Sequence, residues 1–262
     1  MTDRALLVGI NDYPGQPLQG CVNDVRDMAK FLVDKCGFDT GDIRLLVDAR
    51  ATTQGIKERL SWLVADAGPG DRLLFHYSGH GTQFPVRDAK GKVNAVHDSI
   101  CPVDFDWTRE HALIDDDLRK IIDKVPANTE FVFVSDSCNS GDLTKAIRRY
   151  RPRFLAPPAD IAWRLRTAHD KKLMLRAIPH DRCALISGCR SDQESSDAVF
   201  GGRPNGALTY FLLRVLDHQD GLGVPLVQLV PRVAQMLKDG GYEQEPQLRG
   251  PDYLQGRRFL EE

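Results

Sequence analysis

The 262-residue sequence predicts an α/β protein: a mostly parallel sheet of six strands with helices on both faces. Three observations lead there. Strand-like apolar runs alternate with helix-like stretches along the chain. Residues 129–135 (Thr-Glu-Phe-Val-Phe-Val-Ser) form a short run rich in β-branched and aromatic side chains, as in a strand buried on both faces. A hydrophobic content of 42% with 27% charged residues is globular, and the chain is long enough to bury a full core.

Taken in order, residues 4–10 read as a first core strand. Residues 23–35 read as a helix whose stripe is Val25, Met28, Ala29, Phe31 and Leu32, and Gly37 stands where a helix C-terminus favours glycine. Residues 43–47 are the next strand, and 53–65 a helix with Ile56, Leu60 and Leu63 at helical spacing. Residues 71–77 are a third strand, 99–104 a short one, and 116–124 a helix. After 129–135, residues 182–187 supply the last strand, and helices 207–216 and 226–237 close the chain. Crossovers between parallel strands are expected to be right-handed.

One compositional break interrupts this alternation. Residues 145–176 hold ten Lys or Arg against two Asp, with Pro152, Pro157 and Pro158 among them. They read as a long surface connection with a short helix near 161–168. A larger part (1–144), the basic connection (145–177) and a smaller C-terminal part (178–262) therefore make one expected domain, since strands on both sides complete one sheet.

A formal charge of −2 gives no field to attract nucleic acid or an acidic membrane. No apolar run approaches the roughly 18–20 residues that span a bilayer. The apolar run 5–10 is too short for a signal peptide and lacks its cleavage pattern, so a cytoplasmic location is expected. The six cysteines (Cys21, Cys36, Cys101, Cys138, Cys183 and Cys189) include no CxxC pair, which argues against structural zinc. Most should be small buried thiols, leaving one or two for chemistry.

Two strand ends stand out. Residues 73–77 run into Ser78-Gly79-His80-Gly81, and residues 131–134 into Ser135-Asp136-Ser137-Cys138-Asn139-Ser140-Gly141. Ligands of open α/β sheets bind beyond the carboxyl ends of strands, so neighbouring strands would bring imidazole and thiol together. A His can take a thiol proton and later protonate a leaving amine. The N–H groups of Gly79 and Cys138 are candidates for an oxyanion hole. Taken singly, a His after a strand is an ordinary loop residue and a Cys an ordinary buried thiol.

At Tyr77-Ser78-Gly79-His80-Gly81 and Asp136-Ser137-Cys138-Asn139-Ser140-Gly141 the chain resembles the metacaspases, in particular bacterial caspase-like peptidases. The resemblance covers nearly the whole chain. It extends through residues 5–13, Cys21-Val22-Asn23-Asp24, Pro102-Val103-Asp104 and Ile114-Asp115-Asp116-Asp117, to residues 186–193, Gly206-Ala207-Leu208-Thr209-Tyr210 and Pro246-Gln247-Leu248. It implies a caspase-like sandwich and a cysteine endopeptidase with His80 as base and Cys138 as nucleophile. The 58-residue gap between them suits the caspase clan, where the His lies about 50 residues upstream.

The resemblance also implies that Cys21, Asp24, Ser78 and Asp136 line the pocket for the residue before the cut, and hence cleavage of protein or peptide substrates after Arg or Lys. Two carboxylates in one pocket suit a guanidinium, which binds carboxylates bidentately. On residue type alone Asp24 reads as a helix cap. The chemistry needs no cofactor. Calcium is a further implied activator, at Asp98, Asp115 and Asp116; Asp115–117 also make a good helix N-terminus. A fourth acid of the family falls on Lys145 here, with Asp142 nearby, and Asn139 replaces the family's common His. Alternatives are a catalytically silent caspase-like interaction module, which would have lost Cys or His, and a cysteine hydrolase acting on non-peptide substrates. A regulatory partner and a role in bacterial stress, cell death or defence belong to the family context.

The basic connection offers Arg148, Arg149, Arg151, Arg153, Arg164 and Arg166 as self-cleavage sites, with Pro152 blocking a cut after Arg151. An uncut chain would fold this segment over the acidic pocket and restrain it; the alternative is a solvated, partly helical connection that is never cut.

Overall fold

The computed structural model describes residues 2–139, 150–170, 175–176, 182–190, 193, 195–218 and 221–260. In chain order the elements are β1 (Asp3–Gly9), α1 (Cys21–Cys36), β2 (Ile43–Val47), α2 (Thr53–Val64), β3 (Arg72–Ser78), β4 (Gly81–Arg87), β5 (Val93–Ile100), β6 (Leu113–Ile114), α3 (Asp115–Ile122) and β7 (Glu130–Asp136). There follow β8 (Arg151–Pro152), α4 (Ala159–Asp170), β9 (Leu175–Arg176), β10 (Ala184–Ser187), β11 (Ser196–Phe200), β12 (Arg203–Gly206), α5 (Ala207–Asp217), α6 (Leu226–Asp239), β13 (Gln247–Arg249) and α7 (Asp252–Gln255).

The main sheet has six strands in the order β13-β10-β7-β3-β1-β2. All its pairings are parallel except β10 with β13. Alternation along β1 explains why both faces are covered. Ala5 and Leu7 join a core with α1, α5 and α6, while Leu6 and Val8 point the other way into a core with α2 and Phe75, Phe131 and Phe133. Helix α1 ends as its glycine suggested: Gly37 adopts φ +72° and donates its N–H to Leu32 O.

Three expectations are corrected. The short strand at 99–104 is instead the end of the hairpin β4–β5, which stands outside the main sheet with β6 and β9. The sixth main-sheet strand is Gln247–Arg249, a three-residue edge. The basic connection is also not a solvated strap. Its β8 pairs with β11, Leu155 is buried, α4 packs Ile161 and Leu165 against Val96, and Arg153 is 0% exposed. Residues 145–149 of that segment, with Lys145, Arg148 and Arg149, lie outside the described residues, as do Ser140, Gly141 and Asp142.

Candidate active site

β3 and β7 are adjacent parallel strands in register from Arg72↔Glu130 to Ser78↔Asp136. His80 and Cys138 each lie two residues beyond that last pair, so the sheet delivers both to one edge.

The backbone of His80 is clamped by two phenols. Its N–H donates to Tyr13 Oη at 3.1 Å, and its carbonyl accepts from Tyr77 Oη at 2.6 Å. Tyr13 also lies against the imidazole, with ring centroids 4.5 Å apart. His80 Nε2 meets Gln16 O at 2.7 Å. A carbonyl only accepts, so the neutral ring carries its proton on Nε2 and leaves Nδ1 as the basic nitrogen. Nδ1 is buried with no hydrogen-bond partner among the described residues. Burial lowers the His80 pKa to about 4, so the ring is held neutral, as a base requires.

Gly81 N and Cys138 N both donate to the carbonyl of Arg153, at 3.0 and 3.1 Å. Two amides converging on one carbonyl oxygen is the arrangement an oxyanion hole needs. The Gly79 amide, expected as one of the donors, is not among them: it faces Asp136 O at 3.4 Å, and Gly81 N stands in its place. Gly81 also has to be glycine, since a Cβ there would meet Cys138 O at 2.6 Å.

The Arg153 side chain fills the acidic pocket. One terminal nitrogen donates to Ser78 Oγ (2.7 Å) and Asp136 O (3.1 Å) and lies 3.3 Å from Asp136 Oδ2. The other donates to Asp24 Oδ2 (2.8 Å) and Asp197 Oδ1 (3.0 Å). Burial opposes the charge, but Asp136, Cys21, Asp24 and Asp197 together raise the Arg153 pKa above its ordinary value. Gly206 forms a wall that any Cβ would push to 2.3 Å from the guanidinium.

The four expected pocket residues are thus brought together. Asp24 is no cap: its carboxylate turns inward, where it accepts from Ser78 Oγ, Asn205 Nδ2 and Gly206 N. Asp136 is fixed by Ser195 Oγ (2.7 Å) and by the N–H and hydroxyl of Thr209 in the first turn of α5 (2.9 and 2.8 Å). Cys21 is a buried thiol whose pKa is pushed up chiefly by burial, so it lines the pocket uncharged.

Sequence reasoning missed Asp197, the third carboxylate, which also accepts from Gln19 N and Gly20 N. It sits in a strand too polar to register as one. It missed the orienting carbonyl of Gln16 because a backbone group leaves no mark on residue type.

The expected calcium residues are only partly together. Asp115 and Asp116 cluster with His97, whose Nδ1 meets Asp115 Oδ1 at 2.5 Å. Asp98 stands outside that group, bonded to Asn139, with its pKa raised to about 7 by burial and then by Asp115. Two carboxylates and an imidazole fall well short of the roughly six to eight oxygens calcium takes.

Comparison with known proteins fits this geometry. Residues 3–146 match the family model "Metacaspase, peptidase C14 domain". The chain belongs to the metacaspase family. Metacaspase-7 of Arabidopsis thaliana is 43% identical over 55% of the chain, and Metacaspase-1 of Scheffersomyces stipitis 32% identical over 82%. The chain spans 36% and 63% of the lengths of those two metacaspases. A crystal structure of a Geobacter sulfurreducens protein, 28% identical, superposes with a TM-score of 0.72 over 100% of this chain and 99% of that one. Caspase-1 of Spodoptera frugiperda, 13% identical over 95% of this chain and 86% of its own, shares the fold with a TM-score of 0.58. No described helix of this metacaspase is long and apolar enough to cross a membrane.

Proposed function

We propose that this metacaspase is a cysteine endopeptidase that cuts after Arg in preference to Lys, and that its uncut chain holds its own Arg153–Phe154 bond in the active site. One observation carries the reading: the Arg153 carbonyl accepts from the Gly81 and Cys138 amides while its guanidinium fills a pocket of three carboxylates. The flanking chain behaves as a bound substrate. Upstream, Arg151 and Pro152 pair antiparallel with Asp197 and Ser196, and Arg153 N donates to Ser195 O at 2.9 Å. Downstream, Leu155 N donates to Gly81 O at 2.9 Å. Addition of a strand to a sheet edge is a common mode of peptide recognition.

The chemistry follows from these positions. The Cys138 thiol, which donates to Gln193 O at 2.8 Å, turns toward the substrate carbonyl and gives its proton to His80 Nδ1. Sulfur adds to the carbonyl carbon, and the negative oxygen stays on the Gly81 and Cys138 amides. His80 returns the proton to the leaving amine, the C–N bond breaks, and a thioester remains. Water, deprotonated by His80, then releases the carboxylic acid and restores the thiol. No metal takes part. A calcium response remains a separate proposal centred on Asp98, Asp115 and Asp116, with no step of the chemistry routed through it.

Matched fluorogenic peptides ending in Arg, Lys and Asp test the reading. Arg makes four pocket bonds with two terminal nitrogens, whereas Lys brings one nitrogen, so Arg should exceed Lys by about tenfold or more in kcat/KM. Asp should be inert, because a fourth carboxylate would be desolvated among three others. Equal turnover of Arg and Asp peptides would rule the pocket out.

A further inference from the structure

Cys189 plays no part in the chemistry above, yet its sulfur lies 3.3 Å from that of Cys138. Both sulfurs converge on the Gln193 carbonyl, at 2.8 Å from Cys138 and 3.4 Å from Cys189. The sheet creates this proximity. β7 and β10 are parallel neighbours with Ser135 opposite Ser187, and Gly188 N donates to Ser135 O at 2.9 Å. Cys138 lies three residues beyond Ser135, and Cys189 two beyond Ser187. Neighbouring strands run about 4.8 Å apart, within the roughly 4.4–6.8 Å Cα separation that a disulfide spans. The sulfurs are about 1.3 Å beyond the roughly 2.0 Å length of an S–S bond. The other four cysteines, Cys21, Cys36, Cys101 and Cys183, are buried.

We propose that Cys138 and Cys189 form a reversible disulfide under hydroperoxide, which takes the nucleophile out of action and shields it from over-oxidation. The Cys138 thiol passes its proton to His80 and the thiolate attacks the peroxide; the O–O bond breaks, sulfur takes one oxygen as a sulfenic acid, and the departing oxygen takes the proton back from His80 as water or an alcohol. The Cys189 thiol then attacks that sulfur. The S–O bond breaks, hydroxide leaves and takes up the Cys189 proton as water, and the S–S bond forms. Two thiols are oxidised and one hydroperoxide is reduced. A dithiol reverses the product by exchange through a mixed disulfide. Cys189 is less deeply buried than Cys138, so a reductant is expected to approach the pair from the Cys189 side.

The test counts thiols and needs no turnover, so it stands apart from the peptidase assignment. Wild type is treated with hydrogen peroxide, quenched with iodoacetamide, digested without reduction and analysed by mass spectrometry. A cross-linked peptide pair containing Cys138 and Cys189 is expected. Alkylation of Cys138 should fall by about tenfold or more and return with dithiothreitol. Cys183→Ser should behave as wild type. In Cys189→Ser, folding being checked by circular dichroism, Cys138 should pass to sulfinic acid that dithiothreitol does not reverse. Sulfinic acid at Cys138 of wild type, formed as fast as in Cys189→Ser and with no cross-linked peptide, would overturn the proposal.

Discussion

Arg153 is a fully buried cation held by carboxylates from three distant parts of the chain: Asp24, Asp136 and Asp197. Removing one partner of such a cluster leaves uncompensated charge, which typically costs about 3–5 kcal/mol. Arg153→Ala should therefore lower stability while opening the pocket to added substrate. Its uncut form is expected to turn over an Arg peptide at least about tenfold faster than uncut wild type, since the occupant no longer competes. Asp136→Ala should abolish that turnover in either background while Cys138 still reacts with iodoacetamide; normal cleavage by the Ala variant would place the pocket elsewhere. At this scale the sequence was only partly legible. His80, Cys138, Ser78 and Asp136 sit in motifs at strand ends, and Asp24 in the first turn of α1. Arg153 stood as one of seven arginines in a basic run, and nothing in such a run marks which one meets three acids far away in sequence. Asp197 was invisible for the same reason.

The elements divide by how deeply they are buried. β1, β3 and β7 lie between two apolar layers, so they read as continuous apolar runs and were found within a residue or two. The hairpin β4–β5 was missed because β4 opens with Gly81 and contains Pro85, which read as loop. β4 lies at the edge of its sheet, where proline is tolerated. β11 and β12 carry polar residues that face the pocket, so function erased their apolar pattern. The start of β4 supplies one donor of the proposed oxyanion hole, Gly81 N. Gly81→Ala puts a Cβ against Cys138 O and Asn139 Oδ1 and should displace both donor amides. A loss of about 10²–10³ in kcat is expected with KM changed far less. An equal loss in KM alone would mean that this strand positions substrate without stabilising the oxyanion.

Over the whole molecule, the sheet, the pocket and the acid–base balance are coupled. His76, on β3, is buried with Nε2 against Thr209 Oγ1 at 3.1 Å, and burial lowers its pKa to about 4. Its unfolded value is about 6.5, so between pH 4 and 6.5 the unfolded chain binds more protons there than the fold does. The His76 contribution to stability is thus complete above pH 6.5 and is lost as pH falls toward 4. His76→Gln should lose about 2 kcal/mol less than wild type between pH 7.5 and 5, read from denaturant midpoints. Identical losses would mean that His76 already carries a proton in the fold. The most direct measurement of the central claim is the mass of the chain itself. Wild type and Cys138→Ala are incubated side by side, and intact masses and new N-termini are read over time. Cleavage at the Arg153–Phe154 bond in wild type, absent in Cys138→Ala and accompanied by a rise in Arg-peptide turnover, is predicted. A wild-type chain that stays whole, yet cleaves Arg peptides as fast as Arg153→Ala, would contradict the account.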